Sequence, residues 1–210
     1  EDFFPGGALD VRYATAKTNG TSAARTFTAG NTNGYLELVS GTDDNGYAGT
    51  AYSLSWTGDR GCLLEGIIRT PADITDFKFE VGLADSLTDD AGVINAKATP
   101  TFNATDCAVF VYDTDNNTAL DFISAQAGAG VVTTGVLAAD ALAASTTYRF
   151  AIRVETNSVM AWWQGVPILG GNHLIEGGNK ITPWFFCQAR AVSESKTLQL
   201  HKWRMAQPAY

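Results

Sequence analysis

Apolar residues recur at every second position through much of the chain, the period of a strand with one buried face. The clearest stretch is 145–170. Tyr148, Phe150, Ile152 and Val154 alternate with Arg149, Ala151, Arg153 and Glu155. A short polar turn at Thr156-Asn157-Ser158 follows, then Val159, Ala161 and Trp163 alternate with Met160, Trp162 and Gln164. Gln164-Gly165 reads as a second tight turn. Val166–Leu169 returns antiparallel, and its Pro167 predicts an edge strand, because proline cannot donate to a ladder.

The same reading predicts strands at 35–40, 47–56, 62–69 and 76–84. In the last, Phe77, Phe79, Val81 and Leu83 point one way, and Lys78, Glu80 and Gly82 the other. Residues 107–113, 118–126, 181–192 and 196–205 follow, with Leu198 and Leu200 set against Gln199 and His201. The run Trp184-Phe185-Phe186-Cys187 is apolar on both faces. Residues 131–144 are expected to hold a strand and then a short helical turn, since only there are Ala and Leu dense. Ten to twelve strands, with turns at roughly regular spacing, predict an all-β fold with little helix: an antiparallel two-sheet sandwich. Residues 1–34, rich in Thr, Asn, Gly and Ala, are expected to form an extended arm or loop. A single sandwich domain covers 35–210. Residues 85–106 form a polar excursion too long for an ordinary hairpin loop, expected to be functional or an interface element.

Composition supports this picture and removes several functions. Charged residues are only 17% of the 210, and Thr, Asn, Asp and Gly supply turns instead. The net charge of −8 and the lack of a Lys/Arg run leave no nucleic-acid footprint. No stretch is long and apolar enough for a transmembrane helix. Cys62, Cys107 and Cys187 lie in apolar runs with no regular spacing and are expected to be reduced core residues.

Candidate chemistry is sparse. Asp113, Asp115 and Asn117 alternate as in a calcium loop, but Thr118 and Ser124 stand where an EF-hand needs Gly and Glu, so an Asx-rich turn is expected. Asp43-Asp44-Asn45-Gly46 reads as a turn as well. Glu65 and Glu80 lie mid-strand on runs expected to neighbour each other, which makes them the one conceivable acid/base pair. His173 and His201 have no nucleophile motif around them. No cofactor or metal is expected. Trp162 and Trp163 are adjacent on a strand, so their rings face opposite sides of the sheet. An outward Trp can stack on a sugar ring or anchor a partner protein. With the apolar pair Phe3-Phe4 and the acidic pair Asp89-Asp90 of the long excursion, they form the candidate set for partner or glycan contact.

The segment YRFAIRVETNSVMAWWQGVPI resembles the strand-turn-strand of concanavalin A-like (LamG-like) jelly-roll domains, with Gln164-Gly165 at the usual Asn-Gly. FKFEVGLADSL, CAVFVYD and TPWFFCQARAVSESKTLQLHKWRM resemble sandwich domains in tailed-phage virion proteins. The resemblance spans roughly residues 35–205. It implies a jelly-roll sandwich and a non-enzymatic virion structural protein, a capsid decoration (cement) or head-fibre protein on the virion surface. Such a protein would act through contacts with capsid or other virion proteins, as a homo-oligomer. The glucanase carboxylate triad and the lectin-type calcium ligands have no counterpart here. The alternative is a carbohydrate-binding, lectin-like module, and after it a glycoside hydrolase or lyase.

Overall fold

The computed structural model describes residues 15–28, 34–86, 92–97, 99–137, 142–156 and 158–207. In chain order the strands are β1 (Thr15–Asn19), β2 (Ala24–Thr28), β3 (Tyr35–Val39), β4 (Tyr47–Ala51), β5 (Trp56–Thr57) and β6 (Cys62–Arg69). Next come β7 (Phe77–Ala84), β8 (Ile94–Ala96), β9 (Thr101–Phe102), β10 (Cys107–Asp113), β11 (Asn117–Gln126) and β12 (Ala129–Leu137). The chain continues with β13 (Thr147–Glu155), β14 (Ser158–Trp163), β15 (Val166–Pro167), β16 (Lys180–Ala189) and β17 (Thr197–Ala206). The helical content among the described residues is one 3-10 turn, Gly58–Arg60.

Two antiparallel sheets face each other. The first runs β1-β4-β16-β7-β10-β11-β12, with β5 also paired to β16, and the second runs β15-β14-β13-β6-β17-β3-β2. Between them lies an apolar core with Phe77, Phe79, Phe110, Phe122, Phe150, Trp163, Phe185 and Trp203 among its large side chains. The alternation in 148–163 is realised: Tyr148, Phe150, Ile152, Val154, Val159, Ala161 and Trp163 all point inward. Gln164 (φ 52°) and Gly165 (φ 78°) make the two-residue turn with both residues left-handed. Pro167 sits in the edge strand β15.

Four expectations are corrected or refined. First, β6 and β7 belong to opposite sheets, so Glu65 and Glu80 do not neighbour each other. Second, every residue of β7 is buried, Lys78 and Glu80 included. Third, residues 15–19 and 24–28 are edge strands, one for each sheet, because their Thr-rich backbone finds the free edges of β4 and β3. Fourth, a strand occupies 129–137, whereas the helical turn expected further on falls partly at 138–141, outside the described residues.

The cause of the second correction is the segment between β7 and β10. Val93, Ile94 and Ala104 from this segment cover Val109, Val111, Ile123, Trp184 and Phe186 on the outer face of the first sheet. The sandwich thus carries a second, smaller apolar layer. Its buried charged groups are paired within it. Glu80 and Lys78 form an ion pair at 2.9 Å, both fully buried. The Glu80 carboxylate also accepts from the Val93 and Ile94 backbone N–H groups (2.7 and 3.0 Å) and from Trp184 Nε1 (2.9 Å). Lys78 Nζ donates to the Ile94 carbonyl. Lys97 Nζ reaches the Asn117 side chain (2.7 Å), the Ala119 carbonyl (2.5 Å) and Asp121 (3.4 Å) on β11. Two buried lysines therefore fasten this cover to the sheet beneath.

The three cysteines are free and buried, as expected. Burial pushes the Cys62 and Cys187 thiols up to about 12.

Candidate binding face

With the first sheet covered, the outer face of the second sheet is the broad open one. Its residues follow from strand register. Pro167, Trp162, Ala151, Glu65 and Arg204 stand in one row across β15, β14, β13, β6 and β17. The next row holds Arg149, Ile67 and Lys202, and the row on the other side holds Met160, Arg153, Leu63 and Ala206. Trp162 is half-buried, with its ring outward, while Trp163 is 1% exposed in the core. The small Ala151 leaves space beside Trp162, and Arg149 and Arg153 flank Ala151 two positions away along β13. Such diagonal positions lie about 7–8 Å from Trp162, within reach of long side chains.

Lys202 and Arg204 reach this face because β17 is bulged. The register shifts between Leu200 and Lys202, and the inward parity changes from Leu198 and Leu200 to Trp203. An extra residue in a strand re-aims the side chains that follow it. Without it, Lys202 and Arg204 would point into the core.

Two depressions open on the face. One, of about 300 Å³, is lined by Glu65, Gly66, Ile67, Arg149, Phe150, Lys202 and Arg204. The other, of about 690 Å³, includes Asp59, Arg60, Leu63, Arg153, Glu155 and Gln207. Leu63 and Glu65 are two positions apart on the outer side of β6, so the two depressions lie side by side along β6 as an outer groove, and Trp162 is in the lining of neither. Glu65 is paired with Arg204, and Glu155 with Arg153.

The other sequence candidates are placed elsewhere. Phe3, Phe4, Asp89 and Asp90 lie outside the described residues. Asp113 forms a two-pronged pair with Arg190 (2.9 and 2.5 Å), and Asn117 Oδ1 accepts from the Ala119 N–H, so this run is a hairpin turn closed by its own partners. Asp43 accepts from the Thr21 N–H in a loop contact. Among the described residues no three His, Cys, Asp or Glu side chains cluster as a metal site would need.

His173 is buried between Ser124 Oγ (2.9 Å from Nδ1) and Thr133 Oγ1 (2.8 Å from Nε2). Thr133 donates to the Gly170 carbonyl, so its oxygen accepts from Nε2–H, and Nδ1 accepts from Ser124. Burial holds this imidazole below its ordinary value. His201 is lowered as well, by burial and by the nearby Arg69 charge. Neither has the open approach that general-base chemistry requires.

The pattern missed the cationic part of the face. Arg149 and Arg153 were legible as outward positions of β13, but Lys202 and Arg204 depend on the bulge. The signal for it was the three-residue step between inward apolar residues from Leu200 to Trp203, where the strand period gives two.

No family model matches the chain, and no curated protein matches its sequence. Solved structures do match in shape. A Shewanella oneidensis protein of unknown function, SO2946, has a TM-score of 0.60 at 13% identity, covering 98% of this chain and 83% of that one. A GH16 protein of the Bacteroides ovatus mixed linkage glucan locus, in complex with an oligosaccharide product, has a TM-score of 0.59 at 7% identity, covering 91% and 94%. The Bacillus subtilis carbohydrate binding module CBM66 has a TM-score of 0.53 at 10% identity, covering 91% and 95%. The fold is a concanavalin A-like jelly roll. At these identities the likeness concerns the fold alone.

Proposed function

We propose that the chain is a non-catalytic carbohydrate-binding module that takes a glycan chain along the outer groove of the second sheet. The observation that carries this reading is Trp162: a half-buried ring turned outward on β14, across from Ala151 on β13, whose outward neighbours Arg149 and Arg153 line the depressions with Lys and Glu side chains. An aromatic platform flanked by hydrogen-bonding groups is the chemistry sugar rings require, with one apolar face stacked and the hydroxyls paired. Two of the fold neighbours are a carbohydrate binding module and a GH16 protein holding a glucan product, which supports the reading at the level of fold. Binding without hydrolysis is proposed because Glu65 is tied to Arg204 and Glu80 is buried on the opposite sheet under its own cover. The virion reading finds no counterpart among these neighbours.

The test is a glycan array followed by titration calorimetry, with and without calcium. Trp162→Ala should weaken the best ligand at least about tenfold, as truncation of an aromatic anchor does, while Trp162→Phe retains most of the affinity. Absence of any glycan ligand, or equal binding by Trp162→Ala, would sink the proposal.

A further inference from the structure

We infer that the ligand of this groove is an acidic glycan whose anionic group is held by Arg149. This rests on the glycan-binding reading and narrows it.

The charge of the groove is opposite to that of the protein. The chain carries 22 acidic and 14 basic residues. Yet the two depressions are lined by five basic side chains (Arg60, Arg149, Arg153, Lys202, Arg204) and three acidic ones (Asp59, Glu65, Glu155). Two of those acids are already spent, Glu65 on Arg204 and Glu155 on Arg153. A surface that is anionic elsewhere and cationic in one groove repels polyanions except there.

Arg149 is the cation set for a ligand. Its side chain is exposed and has no ion-pair partner among the described residues. Its backbone is held firmly: the Arg149 N–H donates to Gln164 Oε1, and the Arg149 carbonyl accepts from the Gln164 N–H, both at 2.8 Å. The guanidinium therefore springs from a fixed strand, one diagonal step from Trp162. A sugar stacked on Trp162 can place a carboxylate or sulfate on the planar fork of Arg149, which matches such groups two bonds at a time. A neutral sugar offers this arginine nothing of the kind. Arg153 stands on the other diagonal of Trp162 but is engaged with Glu155, so it frames the stacking position and leaves the anion to Arg149.

The test uses the whole chain and titration calorimetry against four probes: an oligogalacturonate, a sulfated oligosaccharide of similar length, a neutral gluco-oligosaccharide and inorganic polyphosphate. At least one acidic glycan should bind more tightly than the neutral one, and its affinity should fall as salt is raised from about 0.05 to about 0.5 M. Arg149→Gln should weaken that acidic ligand about tenfold, the size of one charge-assisted pair, and weaken a neutral glycan by a clearly smaller factor, so that the preference for the acidic ligand falls. Circular dichroism verifies that the exposed substitution leaves the fold intact. If the neutral glycan binds as well as either acidic one and Trp162→Ala abolishes it, the glycan reading stands and the acidic-ligand inference falls. If polyphosphate binds as tightly as the acidic glycans and Trp162→Ala has no effect, the groove is only a charged surface and both fall. Failure of every glycan to bind also overturns both.

Discussion

Glu80→Ala probes the covered face of the first sheet. It removes the carboxylate that Lys78 faces at 2.9 Å and that three N–H groups address, those of Val93, Ile94 and Trp184. Lys78 would keep the Ile94 carbonyl and the Phe186 ring, 5.4 Å from its nitrogen, but lose its countercharge in a site without water access. Removing one partner of a buried pair costs about 3–5 kcal/mol. Each stranded buried donor adds about 1–3 kcal/mol, and the contributions overlap because they share one group. A loss of at least about 4 kcal/mol follows, a large part of the 5–15 kcal/mol typical of a folded domain. Lys78→Met should cost less, since Glu80 keeps its three donors and the methionine still packs on Phe186. In urea, with an m-value of about 3 kcal/mol/M, the Glu80→Ala midpoint drops by more than about 1 M. The damage should begin locally, so amide exchange at Val93 and Ile94 should quicken before the rest of the chain. A midpoint within about 0.3 M of the parent, with those two amides equally protected, would refute the account of the cover.

Two further outcomes follow from buried groups. The His173 imidazole is held below its ordinary value of 6.5 by burial, so the unfolded chain binds more protons as pH falls through that value, and stability present above it is lost below. The melting temperature should decline from about pH 7 to about pH 5, and His173→Gln should make that decline shallower, leaving the share due to His201; an unchanged slope would exclude His173. A Cβ on Gly82 would come 2.1 Å from the Ala108 carbonyl oxygen and 2.7 Å from the Val109 Cα, both backbone atoms. Gly82→Ala should therefore force β7 and β10 apart and cost about 3 kcal/mol or more, read as a clear fall in thermal midpoint, whereas a neutral effect would mean that the ladder can yield.

The centre of the second sheet, β6 with β13 and β14, was legible in the sequence because one of its faces is wet, whereas β2 and the bulge of β17 were not. Tyr148 to Trp163 declare their direction by alternating with Arg149, Ala151, Arg153 and Trp162. The first sheet was harder. Lys78 and Glu80 read only as the face opposite Phe77, Phe79, Val81 and Leu83, with nothing in the alternation to say that it is dry. Their burial depends on Val93, Ile94 and Ala104, three apolar residues scattered through a polar stretch, which no period of two can reveal. A clue was nevertheless present. CAVFVYD on β10 and Trp184-Phe185-Phe186-Cys187 on β16 are apolar on both faces, and a sheet with two dry faces needs a cover. Which sheet each strand joins is not a local property either. β6 and β7 follow one another in sequence, yet Glu65 and Glu80 end on opposite sides of the molecule, because the Thr70–Asp76 link crosses between layers.

The order of strands within the sheets has a consequence for how the chain is made. The two described strands that come latest in sequence are interior ones: β16 lies between β4 and β7, and β17 between β6 and β3. Until they emerge from the ribosome, both layers have a gap at the centre, with the unpaired edges of four earlier strands exposed. A nascent chain in that state resembles an open zip and invites pairing with its neighbours. Folding is thus expected to be slow, as in other molecules dominated by distant pairings, and a chain cut before residue 197 should yield aggregates in place of a smaller domain.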